Sequence, residues 1–106
     1  MTKVFIYRTL KNKQIQEKAL GHTLPAVKAA LADYVETELP IKGAEGTWPT
    51  LIRQPHKTLE GEIIDVDGKD LKKLDEWEDH YHRRLVQFPS GLAAWTYVLK
   101  DRLVQR

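Results

Sequence analysis

The sequence has no cysteine. That removes a disulfide framework, a thiolate metal site and a cysteine nucleophile together, and it fits a reducing compartment. Long apolar runs are missing as well: no stretch approaches the roughly 18 residues that a membrane-crossing helix needs. The first residues, MTKVFIYRTL, show no apolar core followed by a small-residue cleavage site. The expectation is therefore a cytoplasmic protein with no membrane partner. Charge of one sign is scarce too. Seventeen basic and fifteen acidic residues leave a formal charge of +2, and they are interspersed, so there is no basic stripe for nucleic acid. Serine is reduced to Ser90, inside Pro89-Ser90-Gly91, where its plain role is to make a turn and not to act as a nucleophile. Repeats, low-complexity tracts and linkers are absent, and 106 residues suit one compact domain, 1–106.

What is there is globular in composition, 42% hydrophobic and 30% charged, which excludes a disordered or fibrous chain. Val4-Phe5-Ile6-Tyr7 is a nearly continuous run of β-favouring residues and predicts a central strand buried on both faces. Lys11 to Leu20 predicts a short helix, with Ile15 and Ala19 four apart, Asn12 as N-cap and Gly21 as the stop. Pro25 to Glu38 is ambiguous. Its alanines and opening proline favour a helix from near Leu24, whereas Leu31 to Leu39 alternates loosely and holds Tyr34, Val35 and Thr37. Pro40 to His56 carries three prolines and two glycines, which predicts a loop with one short extended piece, Thr50 to Arg53. Leu59 to Val66 predicts a strand in which Gly61 marks a bulge or a close approach by another group.

Asp67 can cap a second helix whose apolar stripe begins at Leu71 and Leu74. Arg83 to Phe88, the Pro89-Ser90-Gly91 turn and Ala93 to Leu99 predict a β-hairpin. The polar tail, Lys100 to Arg106, is expected to fray or to wrap on the surface. One strand, one helix, several strands, a short helix and a hairpin contain too few helices for a doubly wound sheet. The order predicts an α+β protein with a largely antiparallel or mixed sheet that can curl into a barrel.

One residue is out of place. At ~100° per residue, Leu71, Leu74 and Glu78 share a helix face. A carboxylate among leucines, with Asp75 beside it and Tyr81 flanking, either pairs with Arg83 or Arg84 or has a pKa lifted for general acid–base work. His80 and His82 flank Tyr81 at strand spacing. No helical His pair and no cysteine accompany them, so exposed positions on a strand edge are expected and no metal site is. Asp65, Asp67 and Asp70 lack the spacing of a calcium loop, and helix capping explains them. Trp48, Trp77 and Trp95 are expected to pack in the core or at its rim.

Several separated motifs resemble the gamma-glutamylcyclotransferase-like family. That family has a strand ending in Y-G-[ST]-L followed by Arg or Lys, here Tyr7-Arg8-Thr9-Leu10-Lys11. A G-x-[YW]-P-x-L segment corresponds to Gly46-Thr47-Trp48-Pro49-Thr50-Leu51, and a V-x-G-E-[LVI]-Y-x-[VI] strand to Leu59 through Val66. L-D-x-x-E followed by Y-x-R stands as Leu74-Asp75-Glu76-Trp77-Glu78 and Tyr81-His82-Arg83. A-W-x-Y-V matches Ala94 to Val98.

The resemblance implies a mixed, partly closed β-barrel with short flanking helices, a pocket at its mouth, and a strand over Leu31 to Glu38. It also implies an acyltransferase in which the α-amine of a γ-glutamyl group attacks its own γ-carbonyl, giving 5-oxoproline and a released amine. Glu78 would be the general base and acid. Tyr7, Arg8, Thr9, Leu10 and Tyr81 would bind the substrate, a small γ-glutamyl compound or other small carboxylate, with the backbone N–H groups of Arg8 to Leu10 holding its charge. No cofactor and no metal would be needed, because closing a five-membered ring is favoured by proximity. The family's glycine after the tyrosine is Arg8 here, and the one after the glutamate is Asp79. If Arg8 points away, the backbone cradle stays open. If it projects into the pocket it can bind a carboxylate or pair with Glu78, and the alternative is then a non-catalytic barrel that binds a small anionic metabolite or a protein partner.

Overall fold

In the computed structural model, which describes residues 1–105, the apolar run near the start becomes strand β1 (Thr2–Ile6), whose Val4, Phe5 and Ile6 are almost fully buried. Its place in the sheet explains that burial. β3 (Thr47–Val66) lies antiparallel on one side of it and β5 (Ala93–Leu99) parallel on the other. β2 (Ala26–Pro40) and β4 (Tyr81–Gln87) form the edges, so the mixed sheet runs β2-β3-β1-β5-β4. Side chains alternate across the sheet. Phe5 enters one cluster with Leu31, Leu59, Ile63 and Val98; Val4 and Ile6 enter the other, with Leu20, Ile64 and Leu74.

The second cluster lies under two helices. α1 (Lys13–Leu20) starts where the Asn12 side chain accepts the N–H groups of Gln14 and Ile15, and it ends at Gly21 with φ 84°. The helix begins two residues later than the propensity of Lys11 suggests, because Arg8 to Lys11 form a separate 3-10 turn. α2 (Gly68–Trp77) is capped by Asp67, which accepts the N–H of Asp70 at 2.7 Å. Among the described residues no helix is long and apolar enough to cross a membrane.

Two expectations change. The alanine-rich segment after Pro25 holds no helix; it is strand throughout, as the resemblance implied and further, from Ala26. Intrinsic helix propensity is a weak preference, and here it is outweighed by pairing with β3 along the whole segment, with Ala29 opposite Gly61. The stretch from Pro40 to His56 is not chiefly loop, since β3 already begins at Thr47. Pro49 and Pro55 are tolerated because this half of β3 pairs on one side only, so a missing N–H can face the open side.

Gly61 does mark a close approach. A Cβ there would lie 2.5 Å from the Ile6 carbonyl oxygen and 2.6 Å from Phe5 Cζ.

The β2–β3 hairpin is bulged between Ala32 and Tyr34, where Asp33 and His56 both take φ 68°. Asp33 Oδ1 accepts the His56 N–H at 3.0 Å and pins the bend. The outer half of the hairpin then meets the far end of β5, where Leu99 N–H donates to Thr50 Oγ1 at 3.0 Å. The tail completes this partial closure. Residues 101–103 form a 3-10 turn, Val104 bridges Ile41, and Gln105 N–H donates to the Pro40 carbonyl. Up to Gln105 the tail is therefore held on the surface and not frayed; Arg106 lies outside the described residues.

Candidate active site

Tyr7 leaves the end of β1 and the chain tightens at once into the 3-10 turn of Arg8 to Lys11, anchored by the buried Leu10. The N–H groups of Arg8 and Thr9 open that turn and so have no carbonyl partner within it. Arg8 takes φ 62°, the left-handed conformation that glycine adopts without cost. Its guanidinium is directed at β2, with Nη1 2.8 Å from Glu36 Oε2 and Nη2 3.2 Å from Glu38 Oε1. The arginine thus keeps a glycine-like backbone and forms its ion pairs away from Glu78.

Glu78 is the C-cap of α2. Its N–H still bonds the Leu74 carbonyl at 2.9 Å, so it keeps the helical phase that sets it beside Leu74. The chain then reverses, and Tyr81 N–H donates to the Glu78 carbonyl at the start of β4. The side chain of Glu78 faces a cavity lined by Tyr7, Arg8, Thr9, Leu10, Pro49, Tyr81 and Tyr97 over the ends of Phe5 and Ile6. The six residues expected at the site from the sequence therefore line one cavity.

Burial raises the Glu78 carboxyl from its ordinary 4.5 to about 7, and the neighbouring Asp79 carboxylate adds to the shift. Asp75, expected beside Glu78, is engaged elsewhere. It accepts the Tyr97 hydroxyl at 2.7 Å and forms an ion pair with Arg83, whose Nε lies 3.1 Å away, which also occupies one of the two arginines that could have paired with Glu78. Among the described residues no cation lies within ion-pair distance of Glu78.

Three tyrosines surround the carboxyl, each with its proton committed. Tyr7 donates to the Tyr97 carbonyl, Tyr81 to the Pro49 carbonyl at 2.6 Å, and Tyr97 to Asp75. Burial is the main reason that all three ionise well above the usual phenol range, and the nearby Glu78 charge adds to it. They present neutral, fixed dipoles around one titrating acid. Tyr97 and Pro49 were not expected at the site. The signals available were the inward phase of Tyr97 along β5 and, for Pro49, its place in the G-x-[YW]-P-x-L segment.

Next to this cavity lies a second hollow lined by Trp48, Trp77, Asp79 and His80, with Thr9, Pro49, Glu78 and Tyr81 as the shared wall. His80 is not exposed on a strand edge. It sits in the turn before β4, with its ring 4.5 Å from that of Trp48 and Nδ1 2.7 Å from Asp79 Oδ1. His82 is exposed on β4. Trp48 and Trp77 stand at the rim of the site, and Trp95 lies under the Arg83 guanidinium at 5.1 Å. No group of three or more His, Asp or Glu among the described residues is placed to hold a metal ion.

Comparison with known proteins places this geometry in context. A family model described as gamma-glutamyl cyclotransferase, AIG2-like, matches residues 4–106. Among solved structures, an Arabidopsis thaliana protein superposes with a TM-score of 0.71 at 22% identity, covering 95% of this chain and 63% of that one. A gamma-glutamyl cyclotransferase does so at 0.74 and 16%, covering 94% and 67%. An uncharacterized protein from Pyrococcus horikoshii gives 0.67 and 16%, covering 100% and 84%. At these identities the superpositions establish the fold. A search of the curated proteins found no match.

Proposed function

Since the chain belongs to the gamma-glutamyl cyclotransferase, AIG2-like family, we propose that it cyclises the γ-glutamyl group of a small γ-glutamyl amine or amino acid to 5-oxoproline. The observation that carries this reading is the state of Glu78: a carboxyl held near pH 7 in a cavity, with no cation among the described residues paired to it. Such a group is suited to accept a proton and return it at neutral pH.

In the reaction the substrate's α-ammonium loses a proton to Glu78, and the freed amine attacks the γ-carbonyl. The new C–N bond closes a five-membered ring, and the old amide C–N bond breaks. Of the three ammonium protons one stays on the lactam nitrogen and two end on the leaving nitrogen, which departs as an ammonium. Glu78 finishes as it began, and no water is consumed. The N–H groups of Arg8 and Thr9 supply donors for the substrate carboxylate or the developing oxyanion. Tyr7 and Tyr81 fix the walls. The cavity is narrow, about 30 Å³, room for two or three waters. The γ-glutamyl head therefore seats with an outward shift of the wall, whose exposed members are Arg8 and Thr9.

The alternative, a non-catalytic barrel holding an anion or a partner through Arg8, has less support, because that guanidinium already serves two carboxylates. Incubating the protein with a panel of γ-glutamyl amines and γ-glutamyl amino acids and measuring 5-oxoproline tests the reading. Turnover is expected, with Glu78→Gln slower by about 100-fold or more. Undiminished turnover in that variant would remove Glu78 from its role.

A further inference from the structure

The two hollows that meet at Glu78 differ in chemistry. The inner one is walled by tyrosines and the opening of the 3-10 turn, whereas the outer one is walled by aromatic faces. Trp48 comes from the start of β3, Trp77 from the last turn of α2, and His80 from the turn that follows. The outer hollow holds about 320 Å³, ample for an aromatic ring. Trp77 is 45% exposed, unusually open for an indole. Polar capture is weak there. Asp79, the one carboxylate besides Glu78 on this wall, is occupied by His80 Nδ1. Apart from Thr9 and Pro49, the rest of the wall is aromatic, from Trp48, Trp77, His80 and Tyr81, and the nearby carboxylates disfavour a ligand that carries its own carboxylate.

If the inner cavity takes the γ-glutamyl head, the scissile amide lies against Glu78 and the substituent on its nitrogen has to extend into the outer hollow. We infer that this hollow is the leaving-group subsite and that it selects arylalkylamines, through stacking on Trp77 and Trp48, over aliphatic amines and over amino acids. The inference rests on the cyclotransferase reading. The step it modifies is the break of the amide C–N bond, after which the arylalkylamine departs as its ammonium ion.

The test compares γ-glutamyl-2-phenylethylamide, γ-glutamyl-hexylamide and γ-glutamyl-phenylalanine by 5-oxoproline release. The phenylethylamide is expected to exceed each of the others in kcat/KM by about 10-fold, in line with an aromatic pair added to ordinary burial. Trp77→Ala should reduce that preference to within about 2-fold, and Trp77→Phe should keep most of it. Because Trp77 packs little, both variants can be checked for folding by circular dichroism, with Trp48→Phe as a second probe of the same wall. Equal kcat/KM for phenylethylamide and hexylamide, or a preference that survives Trp77→Ala, overturns the subsite. If none of the three compounds yields 5-oxoproline, the cyclotransferase reading fails on its own terms. Calorimetric binding then decides the subsite: tighter binding of the phenylethylamide that weakens in Trp77→Ala upholds it, and equal binding of phenylethylamide and hexylamide overturns it.

Discussion

Replacing Glu78 by glutamine should make this protein more stable, and by an amount that depends on pH in a defined direction. The carboxyl is raised from 4.5 to about 7 in the folded protein, chiefly by burial. Between those two values the unfolded chain has released its proton while the folded one still holds it, so the stability of the native protein falls as pH rises through that window. Below pH 4.5 both states are protonated and nothing is lost; above about 7 both are ionised and the full cost is present. At 1.36 kcal/mol per pKa unit the interval is worth up to about 3 kcal/mol. Glu78 is only partly buried, so about 1–3 kcal/mol is the figure to expect.

Glutamine keeps the shape and removes the charge. The difference in unfolding free energy between Glu78→Gln and the parent should therefore grow by that amount from pH 4 to pH 8.5. Urea denaturation at the two pH values measures it, and all other titrating groups cancel because both proteins share them. A Glu78→Gln difference that is the same at both pH values would refute the claim that burial holds this carboxyl high. Asp79→Asn should narrow the window only modestly, since the Asp79 charge ranks below burial as a cause.

The rate of 5-oxoproline release should rise with pH through about 7 and then level off, as Glu78 becomes the free base; a pH profile of kcat/KM that is flat between 5.5 and 8.5 would contradict this. Gly61→Ala should lower stability by about 3 kcal/mol, or about 10 °C or more in Tm, because the added methyl meets the Ile6 backbone, which cannot swing aside as a side chain can. Arg8→Gly should be more stable than Arg8→Ala by about 1 kcal/mol in urea, since both lose the pairs to Glu36 and Glu38 but only glycine takes φ 62° without strain. Alanine equal to or better than glycine would mean that the turn relaxes.

The features that could be foreseen from the sequence are those whose causes are local. β1 announces itself through Val4, Phe5 and Ile6, the first helix through Asn12 and Gly21, the second through Asp67, and the terminal hairpin through its two β-rich runs around Pro89 to Gly91. Glu78 also stands out locally, as a charge in an apolar phase. The rest is set by distant partners. Ala26 to Ala30 are strand because Glu60 to Ile64 lie alongside them, and Pro49 and Pro55 sit in a strand because one flank of it is open. From Leu31 to Leu39 the loose alternation left helix and strand both open, and the family resemblance pointed to the strand. The direction of Arg8 was undecidable without β2, since Glu36 and Glu38 become its neighbours only when that strand is in place. For the same reason the indoles of Trp48 and Trp77, 29 positions apart in the sequence, gave no sign that they would face one hollow.

The central position of β1 has a consequence for how the chain comes to be folded. It is made first, yet its partners are β3 and, in parallel register at Trp95, β5, which emerges after nearly everything else has been made. During synthesis Val4, Phe5 and Ile6 present an unpaired apolar edge that the β2–β3 hairpin can cover on one side only. The other side stays open until the final hairpin arrives, and closing it spans almost the whole chain, which makes this the slow, entropically costly step. A nascent or truncated chain that ends before Ala93 is thus the form most prone to strand-edge aggregation, and β5 is the segment whose docking ends that exposure.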